Sequence, residues 1–344
     1  MFRLHFWNLL RIVLLLLLLI LPGCYQNNES DFLEDQQKLL NQRERQHLVG
    51  FNQALLRDLD IHFKLIISDH ELVDIDREAA RIFGDLGKKT GGAKGLLFLV
   101  DPIGKQVRIE VGYDLEGVFP DIFVGYIERR QMIPFLSAGK VAAGIEAATE
   151  LFITRLEKDK EGESFSAEQE LPDLAYFSGG GGAKIKADIG TGPVHKEKSE
   201  YRELFQPQDT PEATLQHYLK VLHLHIKDPE LPLFTPATRT FFANWVVTDA
   251  QQENEYRSLQ EAQPHETFTS GTFGIIRYPI SARAHSPFFF QHGENGWMLD
   301  FATMSRVLQM NHKNMWRMRT TDHPYMFGFA DWTFDKNGFP VSTR

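Results

Sequence analysis

The chain reads as an α/β protein, a three-layer α/β/α sandwich followed by a second, α+β cone-like domain. Three observations point there. Residues 95–101 (GLLFLVD) form an unbroken apolar run, as a strand buried on both faces does. Residues 106–112 (QVRIEVG) alternate, with Val107, Ile109 and Val111 on one face, and helical-period segments flank the pair. A stretch at 159–208 rich in Lys, Glu, Gly and Ser then separates an aromatic-rich remainder, 209–344.

The first elements follow in chain order. Arg3 and Arg11 precede ten consecutive aliphatic residues, Ile12 to Leu21. That run is too short for a bilayer span, which takes about 20 residues, and suits the apolar segment of an export signal. Leu21-Pro22-Gly23-Cys24 is similar to a bacterial lipobox, with Pro22 in place of the usual small residue. Cys24 is the single cysteine, so no internal disulfide can form. The expectation is a signal peptide over 1–23, lipid on Cys24 and a tether over 24–30. Tyr25, rather than an aspartate, follows the cysteine and favours the outer membrane, facing the periplasm. The net charge is −9, and removal of Arg3 and Arg11 with no acidic residue leaves −11, a surface that repels nucleic acid.

Between residues 31 and 158, Leu48, Phe51, Leu55 and Leu59 share a helical face. Residues 61–67 read as a strand and 74–86 as a helix. After the strand pair, residues 120–133 read as a helix stopped by Pro134. Val141, Ile145, Ala148, Phe152 and Leu156 mark a long helix for which Ser137 is the expected cap. Ser178 and Gly179 to Gly182 mark 159–208 as a linker. In the second domain Thr210-Pro211 starts a helix to residue 226, with Leu215, Tyr218, Leu219 and Leu222 on one face. Strands are expected at 266–270, 273–284, 287–291 and 296–301.

Two strings carry resemblances. Gly95-Leu96-Leu97, then Arg108-Ile109-Glu110-Val111-Gly112-Tyr113-Asp114-Leu115-Glu116-Gly117, then Ile133-Pro134-Phe135, resemble the core of the TPM-domain family. The upstream Gly87-Lys88-Lys89-Thr90-Gly91-Gly92 resembles its Gly-Lys-rich loop. Asp114 departs from the family's usual glycine. The resemblance implies an exported, membrane-associated α/β/α domain, reported in some relatives as an acid phosphatase or calcium binder and in others as an assembly factor. The helix at 211–226 with the hairpin ending Gly296-Trp297-Met298-Leu299 is similar to the nuclear-transport-factor-like cone superfamily.

The hairpin constrains the chemistry. Asp101 and Asp114 belong at its opposite ends, roughly 20 Å apart at about 3.3 Å per residue, and cannot share a metal. Asp114, Glu116 and Asp121 follow within one loop and suit Ca2+ or Mg2+. Lys88, Lys89, Thr90 and Lys94 stand opposite, where a phosphate is expected, and Asp114 is the candidate attacker. The alternative is an acidic loop left in water. His223, His225, His312 and His323 have no metal-binding spacing, and Phe288-Phe289-Phe290 reads as core. Tyr278, Phe288, Phe290 and Trp297 are candidates to line a pocket. Trp332, Phe334 and Phe339 are expected to dock on the body or on a partner. Three functions follow: a lipid-anchored accessory factor that binds protein partners in the envelope, a divalent-cation-dependent phosphatase, and a carrier of a small envelope ligand.

Overall fold

Strand β3 (Lys94–Asp101) is apolar on both faces because both faces are covered. The computed structural model describes residues 29–90, 94–171, 185–186, 190, 200–262 and 265–342. The expected signal peptide, Cys24, Gly91, Gly92 and the Ser178–Gly182 run lie outside these residues. A five-stranded sheet runs in the order β1-β2-β3-β4-β5, with β1 (Leu33–Asp35), β2 (Ile61–Ile67) and β3 parallel. Strands β4 (Gln106–Val111) and β5 (Ile185–Lys186) are antiparallel to their neighbours.

Side chains alternate across this sheet. Phe63, Leu65, Ile67, Leu96, Phe98 and Val100 face one layer, with α1 (Gln42–Leu59) and α5 (Val141–Lys160). Ile66, Leu97 and Leu99 face the other, where α2 (Ile75–Thr90) lies. The three-layer sandwich is therefore present. Asn41 and Glu44 form a capping box that starts α1. The motif glycine Gly95 is demanded by packing, since a Cβ there would lie 2.5 Å from the Phe83 ring.

Several local expectations are corrected. The helix at 120–133 does not stop at Pro134. It runs as α3 (Asp121–Tyr126), a π turn (Ile127–Met132) and α4 (Ile133–Ser137). Proline sits at the first turn after the π segment, where its missing N–H breaks no bond. Ser137 ends α4, and α5 begins after Lys140 without a side-chain cap. Gly87 to Thr90 continue α2 rather than forming a loop. The residues read as linker are partly structured: α5 reaches Lys160, Leu171 is buried in the first core, and Phe205 is buried in the second.

The second domain opens with three helices: α6 (Pro211–His223), α7 (Pro236–Ala243) and α8 (Asp249–Glu261). An antiparallel meander follows: β6 (Glu266–Ser270), β7 (Phe273–Arg277), β8 (Phe288–Gly293) and β9 (Gly296–Leu299). The strand expected over 273–284 ends at Arg277, two residues before Pro279, and 296–301 ends at Leu299, where Asp300 caps α9 (Phe301–Val307). His225 lies beyond α6, in left-handed backbone at φ 51°. Phe288, Phe289 and Phe290 are all buried. Phe289 stacks on Tyr325 at 4.2 Å, so the C-terminal segment covers the sheet face turned away from the helices. Trp332 and Phe334 dock there against Trp316 and Phe329. Arg277 is sandwiched between Phe268 and Trp332 at 4.5 and 4.3 Å and pairs with Glu266 and Asp331.

The two domains touch along α8. The Thr248 hydroxyl donates to Gln131 Oε1 in the π turn. Phe135 and Ala147 pack on Val246. His312 Nε2 meets Asp58 at 2.6 Å, and Asn314 Nδ2 donates to the Glu150 carbonyl at 2.9 Å. Helix α8 is polar almost all round, as a helix that bridges two bodies is expected to be. No described helix is long and apolar enough to cross a membrane.

Candidate ligand-binding cavity

Asp101 ends β3 and is fully buried. Its carboxylate accepts from Leu72 N, Ile103 N, Gly104 N and Gln106 Nε2 at 2.7–3.1 Å, so it holds the hairpin turn together. Asp114 and Glu116 lie on the short helix Tyr113–Glu116, two residues apart and both exposed. Asp121 is exposed in the first turn of α3. Among the described residues no three His, Cys, Asp or Glu side chains come together to hold a metal ion. Lys88 pairs with Asp85 on its own helix at 3.1 Å, and Lys94 begins β3 half-buried. Lys89 and Thr90 close α2, and their side chains lie outside the described residues.

One of the strongly perturbed titratable groups in this domain sits at the edge of the sheet. Glu128, in the π turn, is buried, and its Oε1 accepts from Ile109 N at 2.7 Å beyond the end of the two-residue strand β5. Burial pushes its carboxyl up to about 7, against the opposing Ile109 hydrogen bond and Arg108 charge. Its Oε2 has no partner among the described residues. Glu128 completes the open edge of β4, a structural task.

A cavity of about 310 Å³ opens in the second domain among α6, α7, α8, α9 and the start of β10 (Leu308–Met310). Each wall is fixed by a capped helix. Thr210 caps α6, Thr235 caps α7, Thr248 and Gln251 form a capping box on α8, and Asp300 caps α9. The rings meet at a tilt: Phe234–Phe242 at 5.0 Å, Phe242–Phe301 at 5.3 Å, Tyr218–Phe301 at 5.1 Å. Trp245 stacks on Phe241 at 5.4 Å and, with Met310, stands at the rim, each 37% exposed. Lys140 of α5's N-terminus lies over the Trp245 ring at 5.8 Å, which ties the rim to the first domain.

Three polar residues of α8 line this cavity, Gln251, Gln252 and Glu255. Gln252 is 4% exposed; its Nε2 donates to the Ile226 carbonyl at 2.9 Å, and its Oε1, closed to water, has no partner among the described residues. Glu255 accepts from the Tyr218 hydroxyl at 2.8 Å. Burial pushes the Glu255 carboxyl up to about 7, the tyrosine hydrogen bond opposes this, and Glu150 across the domain boundary reinforces it. Glu150 itself opens onto a crevice of about 530 Å³ between the domains, and the atoms crowding it raise its carboxyl too. None of Tyr278, Phe290 and Trp297 lines the cavity, and Phe288 lines the crevice instead, because the sheet turns those rings into the core. The sequence reading missed Gln252 and Glu255. Their signal was a helix with too few apolar residues to be buried on its own account.

With this geometry in view, the chain compares with known proteins over its first domain. Residues 33–155 match the family model for the TPM domain. The TPM domain thus spans β1 through most of α5, with the hairpin at its centre. Among solved structures, the N-terminal domain of a protein from P. gingivalis, determined by solution NMR, is 23% identical to this chain. The alignment covers 39% of this chain and 86% of that one, with a TM-score of 0.32. No curated protein matches.

Proposed function

We propose that the protein is an envelope binding module, held to a membrane through lipid on Cys24 and facing the periplasm from the outer membrane. Its second domain takes a largely apolar small molecule, and the TPM domain serves as the platform that presents it to protein partners. The aromatic cavity carries this reading. It is concave, mostly apolar and furnished with a few convergent polar groups, the usual composition of a small-molecule site. The divalent-cation phosphatase has no carboxylate cluster behind it among the described residues.

The test is binding of N-phenyl-1-naphthylamine, read by its fluorescence, to the mature chain beginning at Cys24. Saturable binding that is lost in Ser305→Trp, a substitution at an exposed position on the cavity wall, supports the module. Binding unchanged by that plug removes it. Labelled palmitate that enters the wild-type chain and not Cys24→Ser supports the anchor. Chelator-sensitive turnover of an aryl phosphate that disappears in Asp114→Asn would restore the enzyme.

A further inference from the structure

The polar groups that reach the cavity are matched to one kind of ligand. Gln252 Nε2 is committed to the Ile226 carbonyl, which leaves the amide oxygen as an acceptor without a donor in a residue 96% buried. That oxygen is closed to water, so the acceptor that a ligand meets is Glu255, three residues on along the same face of α8 and half-buried on the cavity wall. The Tyr218 hydroxyl is the one hydrogen-bond donor to Glu255 among the described residues.

Positive charge is missing where an anion would need it. Lys227, the basic residue among the described ones that line the cavity, is held by Asp249 at 2.6 Å, and its neighbour Asp228 by Arg202. Across the domain boundary Glu150, another carboxyl, acts on Glu255, and the Lys140 ammonium at the rim is taken up by the Asn244 carbonyl and the Trp245 ring. Ser305 Oγ donates to the Ala302 carbonyl, and Gln309 Oε1 accepts from Arg317.

We propose that the cavity selects an organic amine, with an aromatic or short aliphatic body among Phe234, Phe242, Trp245 and Phe301 and its nitrogen donating to the Glu255 carboxylate. An ammonium supplies both the hydrogens and the counter-charge, and charge-assisted hydrogen bonds are roughly twice as strong as neutral ones. A volume of about 310 Å³ lies at the lower end of the roughly 300–1,000 Å³ range of small-molecule sites, enough for the aryl probe and ample for a single ring with a short side chain. This assignment rests on the binding-module reading above, and the test separates the two.

The experiment measures displacement of N-phenyl-1-naphthylamine from the mature chain by 2-phenylethylamine, 2-phenylethanol and phenylacetate, which share one body and differ at the head. The amine is expected to bind about tenfold tighter than the alcohol, with the carboxylate weakest. Glu255→Gln should bring the amine down to the affinity of the alcohol and leave the alcohol within about threefold, because the amide keeps the shape and removes the charge. Ser305→Trp should abolish binding of all three; amine binding that survives it belongs to the acidic surface and overturns the proposal. Equal affinity for amine and alcohol, or tighter binding of the carboxylate, also overturns it while leaving the cavity as a ligand site. Failure of all three to bind takes the cavity reading down with it.

Discussion

In the TPM domain the rings of Phe63, Phe98, Phe119 and Phe152 close on one another at 4.6–6.0 Å, whereas in the second domain the rings of Phe234, Phe242 and Phe301 stop around an open volume. The contrast lies in what backs the rings. The TPM rings settle onto a sheet, a continuous floor covered by helices on both faces. The cavity's walls are four helices and a strand start, each fixed at its own cap, and helix axes hold their distance even when the side chains between them are few. The same residue type therefore makes a core in one place and a lined pocket in the other.

Substitutions can break this contrast. The largest expected effect is Phe98→Ala, a fully buried ring at the centre of the TPM core, which should cost about 3–5 kcal/mol in denaturant unfolding. Phe301→Ala, whose ring is half-buried on the cavity wall, should cost less than about 2 kcal/mol. Equal losses would mean that the cavity closes in solution.

Glu128→Gln comes next and probes the buried edge of the TPM sheet. The folded carboxyl titrates near 7 and the unfolded one near 4.5, so the folded state holds a proton that the unfolded state has released. Stability contributed by this group is thus lost as pH rises from about 4.5 to 7. The variant keeps an acceptor for Ile109 N and removes the charge, and it should flatten that fall and gain on the order of 3 kcal/mol at pH 8. Thermal melts of both proteins from pH 4 to 8 check it; parallel curves would show the carboxyl titrating normally.

In the second domain, Arg277→Lys keeps the charge and loses the planar fork shared by Glu266 and Asp331 and the contact with Trp332. Both carboxylates are more than half exposed, so the expected loss is about 1–2 kcal/mol, seen as earlier release of the C-terminal segment in hydrogen exchange. The smallest effect belongs to the contact between the domains. The Arg57 guanidinium holds the exposed Asp58 carboxyl well below its usual range, with His312 helping. Asp58→Asn should change stability by less than about 1 kcal/mol, and a larger loss would mark that ion pair as a hinge of the assembly.

Periodicity was enough to place β2, β3, β4, α1 and α5, because in each a face must leave water and its spacing follows the element that buries it. The apolar run of β3 also announced a sheet covered twice. The course of the helix through Pro134 was not legible, since the π turn that ends two residues earlier is a tertiary compromise that seats Glu128 on β4. Asp114, Glu116 and Asp121 are close in sequence and were read as a cluster; the structure sets them on two separate short helices, each residue exposed. Gln252 and Glu255 look like surface residues of a polar helix. Only the packing of α8 between the TPM domain and the cavity makes their carbonyl and carboxyl acceptors scarce in donors. The sequence by itself determined where apolar faces lie, because that is a local property of spacing. The tertiary structure alone decided which polar groups lose water, because burial depends on neighbours far away in the chain.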